Sequence, residues 1–218
     1  MSDKERVYDD ADMVGHTHDV GDRPALLVVD LQNGETDPDE PIGSDLSEVI
    51  ENTNELIDIS HERNVPVVFA RVVYRHPDAV DGGLWVEKIP ALKEWTAGSY
   101  PTKLDERLHV EDDDHILDKR HASAFHDTEL GSMLTAMGID TLVVTGCSTS
   151  GCIRSSVDDA AARGFRTVVP KECVGDRSAE QHEAHLWDID AKFADVLPMT
   201  KVAKYIRSVD ASRPTDRA

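Results

Sequence analysis

The segment Ala25-Leu26-Leu27-Val28-Val29-Asp30 constrains this chain most. It is an unbroken apolar run that ends on a carboxylate. Such a run, without polar alternation, suits a strand covered on both faces, as in a parallel sheet between helices. Comparable short runs return at Val65–Ala70, His115–Leu117, Thr141–Val144, Thr167–Val169 and Ala194–Leu197. Helical patterns lie between them. One runs from Asp45 to about Arg63, with Ser44 as its cap and Leu46, Val49, Ile50, Leu56 and Ile57 as its apolar stripe. Others span Thr128 to Gly138, Gly151 to Arg163 (stopped by Gly164), Ala179 to Ala191 and Thr200 to Ser208. Strands alternating with helices specify an α/β fold, a parallel sheet with helices on both faces in three α/β/α layers.

Residues 1–22 lack periodicity and read as an N-terminal extension, residues 23–208 as one domain, and residues 209–218 as a mobile tail. The stretch from Val72 to Leu108 is long and irregular, with Gly82-Gly83, Trp85 and Trp95. Loops of that length are usually functional or covering elements.

The 23 Lys and Arg against 43 Asp and Glu give a formal net charge of −20, which repels nucleic acid and anionic lipid. The acidic residues are dispersed, as on a solvated surface suited to a high-salt cytoplasm. No apolar run approaches the roughly 20 residues that span a bilayer, and no secretory h-region opens the chain, so a cytoplasmic protein is expected. Three cysteines, Cys147, Cys152 and Cys173, make no disulfide framework. No metal or cofactor is expected. His16 and His18 could grip an ion but sit in the extension, and no Cys/His cluster has zinc spacing.

Chemistry points to Thr145–Ser156, TGCSTSGCIRSS, where a strand turns into a helix. It lacks the Lys of a phosphate-binding GxxxxGK[ST] loop. It also lacks the Arg six positions after a cysteine that a cysteine phosphatase needs. Ser150 stands where a serine-hydrolase elbow around Ser148 needs Gly, and His182 and His185, the bases such a serine would use, belong to a helix. The thiols remain. Cys152 falls near the helix start, where the dipole lowers a thiol's pKa and free N–H groups can receive an oxyanion; the alternative is a small buried hydrophobe. Ligands in such sheets bind beyond the carboxyl ends of the strands, where Asp30 and Lys119 also fall. The two can form a buried salt bridge and no more. With a thiol beside them, Asp30 can accept its proton, the thiolate can attack a carbonyl carbon, and the acid can protonate the leaving amine.

Four segments, PALLVVDLQNGETDP, KRHASAF, VVTGCSTSGCIRSSVDDA and GFRTVVPKECVGDR…HEAHLWDIDAKFADV, together resemble the isochorismatase-like cysteine hydrolases from roughly Arg23 to Ile206. The last points to the branch that hydrolyses carbamoyl amino acids such as N-carbamoylsarcosine. The resemblance implies a cysteine amidohydrolase with Asp30 as proton acceptor, Lys119 as its partner and Cys152 as nucleophile. It implies a cis peptide between Cys147 and Ser148, an oxyanion hole from the N–H groups of Ser148 and Cys152, and Arg177 as holder of the substrate carboxylate. For Arg177 the alternative is a surface ion pair with Asp176 or Glu172. A carbamoyl thioester would form at Cys152, and the protein would be a homo-oligomer such as a tetramer.

Two departures stand out. The family's first motif commonly carries Phe where this chain has Glu35, so an aromatic wall beside the substrate is expected to be missing. The Asp-x-His…His metal site of the family's nicotinamidases is represented only by His76. The rival readings are an amidase for nicotinamide, biuret or ureidoacrylate, and a binding or scaffold member without turnover.

Overall fold

The structure of the chain, a computed structural model, describes residues 15–211. Six strands form one parallel sheet: β1 (Pro24–Val29), β2 (Val67–Val72), β3 (His115–Lys119), β4 (Thr141–Cys147), β5 (Arg166–Pro170) and β7 (Asp195–Leu197). They lie in the order β3-β2-β1-β4-β5-β7. A two-residue strand, β6 (Val174–Gly175), pairs with the end of β4. The helices are α1 (Asn33–Thr36), α2 (Ser47–Glu62), α3 (Gly83–Lys88), α4 (Leu130–Ala136), α5 (Arg154–Ala162), α6 (Ala179–Lys192) and α7 (Met199–Ser208).

The pleat of β1 explains the three layers. Leu26 and Val28 pack with Val49, Ile50, Leu56 and Ile57 of α2 and with Val202 and Ile206 of α7. Ala25, Leu27 and Val29 face the opposite layer, with Leu130 and Leu134 of α4, Val157 and Ala160 of α5 and Ile189 of α6. Successive side chains of a strand point to opposite faces, so a strand apolar at every position must be covered twice. The contact of β1 with β4 fixes one glycine. Gly146 has φ +109°, and a Cβ there would lie 2.0 Å from the Val29 carbonyl oxygen.

Two expectations change in detail. Ser44 does not cap α2; its N–H donates to the Glu35 carbonyl (2.9 Å), and the Asp45 carboxylate instead accepts from the Ser47 N–H (3.0 Å). The stretch after β2 is folded rather than irregular. It holds α3 and short 3₁₀ turns around a separate apolar cluster of Val72, Tyr74, Ala79, Val86, Leu92 and Trp95. Residues 1–14 of the expected extension and 212–218 of the expected tail lie outside the described residues. The remainder of the extension is laid on the domain: the His18 N–H donates to Asp195 (2.9 Å) and the Gly21 N–H to Thr141 Oγ1 (2.8 Å). Among the described residues no helix is long and apolar enough to cross a membrane.

Candidate active site

The carboxyl ends of β1, β3 and β4 converge on one buried cluster. Asp30 follows β1 with φ 53°, a left-handed conformation that aspartate tolerates better than most residues, and its N–H remains bonded to the Ala70 carbonyl (2.7 Å). Lys119, the last residue of β3, places its Nζ 2.8 Å from Asp30 Oδ2 and donates also to the carbonyls of His121 (3.0 Å) and Ala122 (3.1 Å). Its three donors are thereby engaged, with the Trp85 ring 6.0 Å from the ammonium. Neither side chain of the ion pair is exposed. The second Asp30 oxygen, Oδ1, is buried and has no hydrogen-bond partner among the described residues.

The turn after β4 supplies the sulfur. The Cys147–Ser148 peptide is cis, and Thr149–Ile153 then wind as a π-helical turn into α5. Such single wide turns gather at functional sites. The Ser148 carbonyl accepts from the N–H groups of Gly151 (2.9 Å) and Ile153 (3.1 Å). Asp176 holds the turn from outside, accepting from the Ser150 N–H at 2.7 Å. Cys152 lies within this turn, buried, and bears on the protons of both Asp30 and Lys119. Cys147 has a different partner: its Sγ donates to the Asp30 carbonyl at 3.1 Å.

Burial reverses the expected effect of the helix start on the thiol. Burial pushes the Cys152 thiol well above its ordinary value, the negative charge of Asp30 adds to this, and Lys119 only partly opposes it. Burial also raises Asp30, against the pull of Lys119. For Lys119, burial disfavours the charge but Asp30 and Cys152 outweigh it, so its pKa rises and it stays an ammonium. A neutral thiol beside a Lys⁺–Asp⁻ pair leaves the pocket uncharged. A thiolate would add a second negative charge where no solvent screens it.

Arg177 reaches the same place, but neither Asp176 nor Glu172 is its side-chain partner. The Asp176 carboxylate binds backbone N–H groups of Ser150 and Arg177, and Glu172 accepts from the Met199 N–H. The guanidinium pairs with Glu35 and donates to the Ile42 carbonyl and, at 2.9 Å, to Ser148 Oγ. Glu35, on α1, is buried, and its Oε2 lies 3.5 Å from Ser148 Oγ and 4.0 Å from Cys147 Sγ. Burial raises its carboxyl from 4.5 to about 7, against the pull of Arg177.

Sequence reasoning marked Glu35 only as a missing aromatic. Asp176 enters it only as a surface ion-pair partner for Arg177, and it gives no role to Gln32, whose buried amide joins the segment after β1 to Val72 and Pro101. The polar residue inside the motif DLQNGE was the only signal for Gln32. The histidines are placed elsewhere. His182 Nδ1 lies 2.9 Å from Thr149 Oγ1, and His185 bonds the Gln181 carbonyl in its own helix. His121, His126 and Asp127 bring possible ligand atoms within 4.8 Å of one another, a grouping the linear spacing did not reveal.

The comparisons agree with this architecture. The isochorismatase domain model matches residues 24–201. The chain is 38% identical over 209 residues to a maleamate amidohydrolase of Pseudomonas putida, covering 95% of this chain and 98% of the relative. It is 39% identical over 191 residues to an N-carbamoylsarcosine amidase of an Arthrobacter species, covering 85% and 72%. A cysteine hydrolase from Pseudomonas syringae superposes with a TM-score of 0.80 at 22% identity, covering 85% of this chain and 93% of that one. An N-carbamoylsarcosine amidase from Thermoplasma acidophilum superposes with a TM-score of 0.65 at 23% identity, covering 81% and 96%. With its parallel sheet, its buried Asp30–Lys119 pair and its cysteine-bearing turn, this chain belongs to the isochorismatase family.

Proposed function

We propose that the protein is a cysteine amidohydrolase that cleaves a linear C–N bond in a small carboxylate-bearing amide, N-carbamoylsarcosine or a related carbamoyl amino acid. The observation that carries this reading is the fully buried Asp30–Lys119 ion pair with the Cys152 thiol acting on it. A salt bridge with only a structural role has no need of a thiol that bears on both of its charges. Two relatives above 35% identity are named for amides that also bear a carboxylate.

In this mechanism Cys152 Sγ attacks the carbamoyl carbon while its proton passes to Asp30. The backbone N–H groups of Ser148 and Cys152 receive the oxyanion. Asp30 returns the proton to the departing nitrogen, ammonia leaves, and a carbamoyl thioester remains. Water, deprotonated by Asp30, attacks the thioester and releases Cys152. With N-carbamoylsarcosine hydrolysis of the thioester gives the carbamate of sarcosine, whose N–C bond then breaks as the nitrogen takes a proton, so the products are sarcosine, carbon dioxide and ammonia. Lys119 keeps Asp30 anionic between these steps, and Arg177 binds the substrate carboxylate.

The test is ammonia release from N-carbamoylsarcosine, maleamate, nicotinamide, biuret and ureidoacrylate, with mass spectrometry of the quenched enzyme. The expected result is turnover of an anionic amide and an acyl adduct on Cys152. Turnover that persists in Cys152→Ala rejects the mechanism. The second reading, a maleamate amidase, is favoured by the near-complete mutual coverage with that relative. The same panel separates the two.

A further inference from the structure

We infer that Glu35 controls the carboxylate subsite: it holds the Arg177 guanidinium, and a carboxylate-bearing amide takes that guanidinium over as Glu35 accepts a proton from solvent. This rests on the amidohydrolase reading and adds to it the rule by which the site admits an anion.

Each of the three guanidinium nitrogens of Arg177 already has an acceptor: the Ile42 carbonyl, Ser148 Oγ and the Glu35 carboxylate. Three of its five N–H groups are thereby taken, and a substrate carboxylate that comes to this fork shares it with the Glu35 carboxylate. Only Glu35 among the three competes with a substrate carboxylate in charge as well as position.

With Arg177 paired to an ionised Glu35 this end of the pocket is neutral. Adding a carboxylate without a proton leaves a net negative charge beside Asp30, in a pocket where Glu35 is only 8% exposed. Adding a proton to Glu35 restores neutrality and leaves the substrate carboxylate as the one anionic partner of Arg177 among the described residues. The groups facing Glu35 are Arg177 after β6, Asp30 after β1, Lys119 at the end of β3, Cys147 at the end of β4 and Cys152 in the turn. Asp30 disfavours ionisation of Glu35, whereas Arg177 and Lys119 favour it. Burial dominates them all and sets the proton equilibrium near 7, so the exchange falls in the neutral range. A protonated Glu35 also removes a negative charge beside Ser148, whose N–H is assigned to the oxyanion.

The experiment is calorimetric titration of Cys152→Ala with N-carbamoylsarcosine and with maleamate above pH 7, in two buffers of different ionisation enthalpy. The expected result is uptake of up to one proton per anion bound. Adding Glu35→Gln to this protein should abolish the uptake and tighten binding. In the cysteine-bearing enzyme, KM for the anionic amide should rise toward about tenfold per pH unit above 7, with kcat less affected. KM for its neutral methyl ester should stay flat.

Binding without proton uptake, a pH-independent KM for the anion, or an unchanged pH slope in Glu35→Gln overturns the inference while leaving the hydrolase reading intact. Proton-linked binding without turnover does the reverse. Failure of both anions to bind overturns it outright.

Discussion

The Lys119 ammonium and the Asp30 carboxylate meet at 2.8 Å, with no part of either side chain exposed. Two charges so deeply buried are tolerable only together. Removing one leaves the other unpaired, at a cost of about 3–5 kcal/mol. Lys119→Met should therefore weaken the fold by that amount in urea denaturation. It should also reduce amide turnover by up to roughly 10²–10⁴, the usual worth of a positioned proton carrier, because Asp30 without its cation no longer stays ionised to take the thiol proton. A variant with full activity and unchanged stability would show that the pair is neither structural nor catalytic.

The three cysteines should separate by role. Cys152→Ala should eliminate both turnover and the acyl adduct. Cys173, buried under α2 in the layer away from Cys152, should tolerate Ala with turnover within about a factor of three, because a small core truncation leaves the partners of Cys152 in place. Asp30→Asn keeps the shape of the side chain but cannot take the thiol proton, so the fall should appear in kcat. An adduct on Cys173, or a fully active Asp30→Asn, would contradict these assignments.

The local sequence signals explain why part of this site was readable in advance. The run ending at Asp30, the strand ending at Lys119 and the turn bearing Cys152 are each recognisable within a few residues, and the sheet topology brings strand ends together. Arg177 and Glu35 are 142 residues apart, and no periodicity links α1 to the loop after β6. The helix dipole does not leave the Cys152 thiol with a lowered pKa, because desolvation, which a sequence does not display, dominates at a buried sulfur. The segment after β2 looked irregular because its order comes from distant bonds, such as the Tyr74 N–H to the Trp95 carbonyl at 2.8 Å, rather than from a repeating pattern.

Glu35 predicts a pH dependence of stability with a definite sign. Its carboxyl loses its proton near 7 in the fold but near 4.5 when unfolded. Below 4.5 both states are protonated and its contribution to stability is fully present. Between 4.5 and 7 only the unfolded chain ionises, so stability is lost as pH rises, by on the order of 3 kcal/mol in all. Glu35→Gln lacks this loss. Its stability relative to the parent should rise across that window and level off above it. Urea midpoints for both proteins at matched pH check this, and the difference cancels the other carboxylates. A constant difference would place the Glu35 pKa near its ordinary value.

Gly146 should be nearly irreplaceable. Alanine there would need both a left-handed φ of +109° and a Cβ 2.0 Å from the Val29 carbonyl oxygen. That atom belongs to the strand that presents Asp30, so relief would require β1 and β4 to separate. Gly146→Ala should cost more than about 4 kcal/mol, the range reached when backbone strain and overpacking coincide. Soluble protein with an unshifted melting temperature would show that the two strands are not held this closely.

Gln32 ties the covering segment to the sheet. Its Oε1 accepts from the Val72 N–H at 2.6 Å, and its Nε2 donates to the carbonyls of Val72 (3.2 Å) and Pro101 (2.8 Å). The residue is wholly buried, so these backbone groups have no ready substitute in solvent. Gln32→Leu preserves approximate volume but leaves a buried N–H and carbonyls without their partner, each worth about 1–3 kcal/mol. The freed bonds lie where the segment carrying Trp85 rejoins the strand ends, so loss should be local before it is global. Hydrogen exchange should speed up first at Val72 and across Tyr100–Thr102, with β4 and β5 unchanged. Amide KM should rise more than kcat falls, because Trp85 lies over the Lys119 ammonium without being assigned a proton transfer. Uniform exchange acceleration across the whole sheet would instead make Gln32 an ordinary core residue, with no particular hold on the cover of the site.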